Sequence, residues 1–326
     1  MKITLFGCKD TTLHVARFLN DLGVQADLVT ISPSIAKTNE VAGYLDLTTY
    51  SQYFTSIYVA ENYSLKCASD KNYFRNTSDN QLGFCIGWQR LIPDSALRFF
   101  SKGVFGMHGS ARNLPFGKGR SPMNWAILEG RQWFHTNIFK YQRGVDDGPI
   151  VDVYTFSITP FDSAETLHYK NTLAMCHLIQ KNLTALLAGT IEVHKQDNRN
   201  GESFYPKRTP KDGKIDWHDD IFNIERLIRA VSPPFYGAFT LVNDNELRIY
   251  RANVFYTDIE KHPFLGAEFG EVVDIFPSEK FLVRCSGGVL LVHQYDGILP
   301  NKGIIFKNQE ATLSRFDRNK YGFFDI

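Results

Sequence analysis

The sequence is poor in cysteine. Its five, Cys8, Cys67, Cys85, Cys176 and Cys285, are scattered, odd in number and form no CxxC pair. That argues against a disulfide framework or a cysteine-held zinc site, and reduced thiols in a cytoplasmic protein are the expectation. Neither sign of charge is in excess: 36 Lys and Arg stand against 35 Asp and Glu. A balance this close gives no global drive toward nucleic acid or a membrane surface. Long apolar runs are missing too. No stretch approaches the ~20 residues that span a bilayer. The apolar start at residues 2–6 is too short for a signal peptide and goes straight into a strand pattern. No internal repeat, low-complexity tract or metal-ligand cluster is present, so no metal is expected. The turn after the first strand lacks GxGxxG, having only Gly7, which argues against a dinucleotide held there.

What is present fits two domains. A chain of 326 residues is long for one domain and buries a sizeable core without staples. Residues 2–6, about 11–22 and 26–31 read as strand, helix and strand, an opening that implies a parallel pair with a right-handed crossover. Further strands are expected at 55–59, 83–86, 134–141 and 150–158, and helices at 94–100 and 163–187, His168 on the latter being structural or solvated. The polar run at 195–204 reads as a linker. Beyond it, strands at 238–242, 247–256, 270–275, 281–285 and 288–295 follow one short helix at 221–230, the pattern of a small barrel or open β-domain. The expected architecture is therefore a Rossmann-like, mostly parallel α/β domain over residues 1–194, then a smaller, mainly-β, OB-like domain over 205–326. Residues 304–326 are aromatic-rich and unassigned.

Two stretches carry the chemistry. In Val104-Phe105-Gly106-Met107-His108-Gly109-Ser110 an apolar run ends in a histidine, the pattern of a buried strand stopping at a loop. Ligands of open α/β sheets bind at such carboxyl ends. Gly144-Val145-Asp146-Asp147-Gly148-Pro149 is a turn closed by glycines. Brought together, His108 and Asp146 make a general-base pair. Each alone has a plainer reading, a structural histidine and an ordinary turn. Residues 87–93, Gly-Trp-Gln-Arg-Leu-Ile-Pro, suit a wall for a flat heteroaromatic group, or Trp88 and Leu91 simply pack in the core. The basic, glycine-rich loop with Lys118, Gly119 and Arg120 leads into a helix with Pro122 near its first turn. Such a loop cradles phosphate oxygens, or is merely solvated.

Laid out this way, the chain resembles the 10-formyltetrahydrofolate-dependent formyltransferase family, and within it the sugar-nucleotide N-formyltransferases of the UDP-4-amino-4-deoxy-L-arabinose type. The resemblance rests on His108-Gly109-Ser110, on Gly119-Arg120-Ser121-Pro122-Met123-Asn124-Trp125, and on Val145-Asp146-Asp147-Gly148. It continues through Arg208-Thr209-Pro210-Lys211-Asp212 with Asp216-Trp217-His218, Arg229-Ala230-Val231 and Gly237-Ala238-Phe239. It implies formyl transfer from 10-formyltetrahydrofolate to the amine of a nucleotide-linked sugar, a UDP-4-amino sugar in polysaccharide biosynthesis. His108 would be the general base and Asp146 its partner. Gly87, Trp88, Leu91, Ile92 and Pro93, with Gly144 and Val145, would hold the folate. Ser110, Lys118, Gly119, Arg120, Asn124 and Arg208 would meet the acceptor. No nucleic acid or membrane partner is implied, and homodimers are common among such enzymes.

One departure matters. The family's strand ends in Asn-x-His, and here Gly106 holds the asparagine position. A backbone N–H, Asn124 or a bound water substitutes, or catalysis is slow or lost. Two alternatives follow: a non-catalytic folate or nucleotide-sugar binder, and a methionyl-tRNA formyltransferase. The latter favours a basic second domain, yet after Phe204 sixteen Lys and Arg face seventeen Asp and Glu.

Overall fold

Strand β1 (Lys2–Phe6) has Ile3, Thr4, Leu5 and Phe6 all fully buried. A short apolar run buried on both faces is the mark of a parallel strand between helices. In the computed structural model, which describes residues 2–77, 80–257 and 263–307, that strand lies inside a seven-stranded sheet. The chain divides into two units. The first holds the chain up to Gly119, with Trp133–Ser157 and His168–Ser203; the second holds Arg120–Gln132, Ile158–Leu167 and the described chain from Phe204 onward. Two segments that precede residue 194 thus cluster with the later part of the chain.

In the first unit, β1 is followed by α1 (Asp10–Asp21), β2 (Ala26–Ile31), α2 (Pro33–Thr38), a 3₁₀ turn (Leu47–Tyr53), β3 (Phe54–Ala60), α3 (Ala68–Asn76), β4 (Asn80–Cys85), α4 (Asp94–Leu97), β5 (Gly103–Ser110) and β6 (Lys118–Gly119). After α5 (Pro122–Leu128), which belongs to the second unit, come β7 (Trp133–Lys140), β8 (Ile150–Ser157) and the long α6 (Ala164–Ala188). The sheet order is β3-β2-β1-β4-β5-β7-β8. Strands β1 to β5 run parallel, and β7 and β8 antiparallel. The strand order reverses beside β1, where such folds open a crevice at the carboxyl ends of their strands. Two differences from the sequence reading stand out. Strand β5 does not stop at His108 but continues to Ser110, because β7 pairs with it as far as Ser110 opposite His135. The helix expected over 94–100 is a single turn, Asp94–Leu97.

Alternation along β5 sorts its side chains. Phe105 and Met107 pack with Ile138, Leu178 and Ile179 in the core on the α6 side. Val104 packs with Cys85, Trp88 and Tyr141 in the core on the other side. Gly106 and His108 share the face of Val104. His168, at the start of the first unit's part of α6, sits 2.9 Å from both Asp10 Oδ1 and Thr11 Oγ1, so it ties helix α6 to helix α1. Burial works against the ionised Asp10, but the bond from His168 and the Thr11 N–H outweigh it and hold the carboxyl below its ordinary value. Because the folded value is depressed, this stability is fully present above about pH 4, the ordinary value, and is lost as pH falls through the lowered one. Asp10→Asn is expected to lower stability at pH 7 by less than about 1 kcal/mol, since the carboxylate is half exposed, and by less again at pH 3. Melts of both proteins at the two pH values check this.

The second unit is built on β9 (Phe204–Tyr205), a 3₁₀ turn (Pro210–Gly213), α7 (Ile221–Val231) and strands β10 (Ala238–Val242), β11 (Asn245–Tyr256), β12 (Val272–Ile275), β13 (Phe281–Cys285) and β14 (Gly288–Asp296). The five long strands pair antiparallel in the order β10-β11-β14-β13-β12. Helix α7 buries Ile221, Ile224 and Ile228 at helical spacing, and Trp217 is fully buried with its Nε1 donating to Thr240 Oγ1 at 3.0 Å. Ile305, in the unassigned tail, bridges to Glu271; residues 308–326 lie outside the described residues. Among the described residues no helix is long and apolar enough to cross a membrane, and no group of three or more His, Cys, Asp or Glu could hold a metal ion.

Candidate active site

Strand β5 delivers His108 to the sheet face opposite α6, where it is 6% exposed. The loop between β7 and β8 delivers Asp146, whose φ of 50° is left-handed. That conformation turns its carboxylate back toward the sheet. Asp146 Oδ2 lies 3.2 Å from His108 Nδ1 and accepts from the Gly119 N–H at 3.1 Å. His108 Nε2 lies 2.7 Å from the Gly117 carbonyl oxygen. Acceptors therefore flank both ring nitrogens, and a ring carrying hydrogen on both donates to both at once.

Three residues the sequence reading did not single out complete this arrangement. Gln196 Nε2 donates to the Asp146 and Gly148 carbonyls at 2.6 and 2.8 Å, so the segment read as a linker braces the turn that carries Asp146. Ser203 Oγ accepts from the Gly117 N–H at 2.9 Å, and its carbonyl accepts from the Lys118 N–H at 3.0 Å. Glu202 pairs with Lys118 Nζ at 2.7 Å. Polar residues in a run give no signal of this kind, since their partners lie far off in sequence. Cys85 is also near: burial, and after it the Asp146 carboxylate, push its thiol up, so it remains protonated.

The acceptor residues expected from the sequence are placed differently. Lys118 is 1% exposed, its ammonium held by Glu202 inside the first unit, so it is an anchor of its loop and not a phosphate clamp. Ser110 is fully buried and lies beneath Gly117, where a Cβ would come within 2.2 Å of its Oγ. Asn124 donates to the Ala230 carbonyl at 2.6 Å within the second unit and is 2% exposed. That amide ties α5 to α7. Arg208 lays its guanidinium over the Trp125 ring at 4.9 Å, and Trp125 stacks on Tyr205. Arg120 lies in the same unit, its N–H donating to the Tyr205 carbonyl at 2.8 Å.

The expected folate segments split by burial. Trp88 and Ile92 are buried in the core around Phe6 and Phe100. Leu91 and Val145 are exposed, at 45% and 42%, and fit the apolar contact a flat ring needs. Gly87 is at φ 77° and Pro93 precedes helix α4. Gly144 comes so near Asp147 that a Cβ would lie 2.1 Å from its carboxylate. At Gly106 a Cβ would stand 2.7 Å from Phe139 Cζ and 3.1 Å from Tyr141 Cδ2. Two aromatic rings fill the place of the missing asparagine. Tyr141 in turn accepts from the Ile92 N–H at 3.3 Å, which braces the 87–93 segment.

The geometry agrees with comparison to known proteins. The formyl transferase model matches residues 27–178, and the model of the formyl transferase C-terminal domain matches 207–297. The chain belongs to the formyl transferase family. Its fold is similar to HypX from Aquifex aeolicus, solved in complex with tetrahydrofolic acid (TM-score 0.64, 14% identity, 90% of this chain and 44% of that one). It is also similar to an N-formyltransferase from Helicobacter canadensis, solved with folinic acid and dTDP-3-aminofucose (TM-score 0.62, 18% identity, 91% of this chain and 100% of that one). A third is a methionyl-tRNA formyltransferase from Clostridium thermocellum (TM-score 0.53, 17% identity, 78% and 94%). The chain spans less than half the length of the HypX chain it matches. At these identities the likeness is one of fold.

Proposed function

We propose that this protein is an N-formyltransferase that uses 10-formyltetrahydrofolate and a nucleotide-linked amino sugar. The observation that carries the reading is the pairing of buried His108 with partly buried Asp146, assembled from two separate segments at 3.2 Å. The folate supplies an activated formyl carbon. The acceptor amine takes the place of the Gly117 carbonyl at Nε2 of His108, which removes the proton the amine sheds as it is acylated. Asp146 holds the ring by Nδ1 and offsets its positive charge. Leu91 and Val145 cover the folate ring.

The nucleotide-sugar reading is supported by the segment running from Gly119 to Trp125, by the near-neutral charge after Phe204, and by the full-length fold match to the Helicobacter canadensis protein. A UDP-4-amino sugar is the proposed acceptor, on sequence resemblance. A second reading, a folate binder without turnover, is favoured by the two rings at Gly106 and the occupied Nε2. The test is mass spectrometry of UDP-4-amino, dTDP-3-amino and methionyl-tRNA acceptors after incubation with 10-formyltetrahydrofolate. An adduct about 28 Da heavier, the gain of one CO, is expected on the UDP-4-amino sugar. An adduct on the tRNA alone, or none with folate bound, sinks the nucleotide-sugar reading.

A further inference from the structure

Strand register puts Asn137 directly across from His108 on β7. Residues opposed in an antiparallel ladder point to the same face, with Cβ atoms about 4.5–5.5 Å apart. Asn137 therefore shares the catalytic face. It is fully buried; among the described residues its Oδ1 has no hydrogen-bond partner, and its Nδ2 reaches only the His135 carbonyl, at 3.5 Å. Thr136, the next buried polar residue of the same strand, points to the other face and bonds Asn171 Oδ1 at 2.7 Å. A buried amide left this poorly satisfied costs stability, and an apolar side chain of the same size avoids that cost. Beside the base, Nδ2, held by a single 3.5 Å bond, keeps a hydrogen to donate to a ligand, and the orphaned Oδ1 shows that no protein partner among the described residues fixes the amide. The neighbouring position that carries an amide in the family is Gly106, closed by Phe139 and Tyr141.

We propose that Asn137 supplies the amide donor to the formyl oxygen, from the strand beside the one expected. The proposal rests on the formyl-transfer reading above. In the step it serves, the amine nitrogen bonds to the formyl carbon and its proton passes to His108 Nε2. The formyl oxygen takes up the C=O pair and accepts from Asn137 Nδ2–H. The carbonyl re-forms as the bond from that carbon to N10 of the folate breaks, the electron pair stays on N10, and the proton is delivered there. The amide thus acts where charge develops.

The test uses Asn137→Leu, which keeps size and removes both polar atoms, with Asn137→Ala beside it. Melting of Asn137→Leu at or above wild type shows that the fold is kept. Turnover of Asn137→Leu is expected to fall about 100- to 1,000-fold, with KM for the acceptor changed less than about threefold and the pH profile of the rate unmoved. A second arm measures binding by calorimetry of a hydrolytically stable 10-formyl folate analogue and of the same analogue without its formyl group. Wild type is expected to prefer the formyl form, and Asn137→Leu to lose that preference. Asn137→Leu with wild-type turnover and an unchanged preference overturns the proposal alone. Wild type that prefers the formyl form but transfers it to no acceptor sinks the transfer reading, and the binding arm still decides on Asn137. Wild type with neither transfer nor preference overturns both.

Discussion

Replacing His108 with alanine is expected to lower formyl transfer by about 10²–10⁴-fold, the usual worth of a positioned general base. The loss falls on kcat, because the ring is 6% exposed and contributes little surface for holding either substrate. Asp146→Asn is the sharper companion. Residue 146 sits at φ 50°, a conformation that asparagine tolerates well, so the turn keeps its path. What changes is the pairing. The carboxylate accepts from both the Gly119 N–H and the ring. An amide offers one acceptor oxygen and one NH₂ group, and has no charge to offset the protonated ring. Turnover of Asp146→Asn is expected to fall at least about 100-fold while folding is kept. Steady-state rates with the acceptor found by mass spectrometry, read with circular dichroism and a melt, check both variants. Near-wild-type rates in the two would move the active site elsewhere.

Gly106→Asn, which restores the residue the family carries, is expected to make the protein worse. Its Cβ alone would need Phe139 Cζ and Tyr141 Cδ2 to retreat from 2.7 and 3.1 Å. Both rings are held: Phe139 is 3% exposed, and Tyr141 is bonded to the Ile92 N–H. Overpacking of this kind costs about 1–3 kcal/mol. Displacing Tyr141 also releases the segment that carries Leu91. The expected result is a lower denaturation midpoint and no gain in kcat, read from urea melts and rates side by side. A large rise in rate with stability unchanged would falsify the view that the rings have taken over this position.

Much of this was legible before any coordinates. The strand–helix–strand opening came from apolar spacing, the long helix α6 from its length and periodicity, and the His108–Asp146 pair from motif order. The residues that the structure places otherwise than expected share a physical origin. Lys118 and Asn124 are residue types that normally meet solvent or substrate, and each is buried here with a partner far away in the chain, Glu202 and Ala230; Ser110 is buried beneath the turn at Gly117. Local sequence does not encode such partners. The same holds for Gln196, which in sequence is one polar residue in a polar run. Asn137 escaped notice for another reason. It lies inside an apolar strand, and only the register with β5 brings it to the histidine.

The contacts that residues 117–119 make with His108 and Asp146 come from a carbonyl and an N–H, not from side chains. Main-chain atoms are present whatever residue is encoded, so these contacts persist through any substitution that leaves the path of the chain intact. The path itself depends on Gly117 and Gly119, at φ 73° and 94°, and on the anchor at Glu202 and Ser203. Divergence among acceptors can therefore proceed by exchanging side chains around this loop. The polarity presented to the base and its carboxylate stays the same throughout.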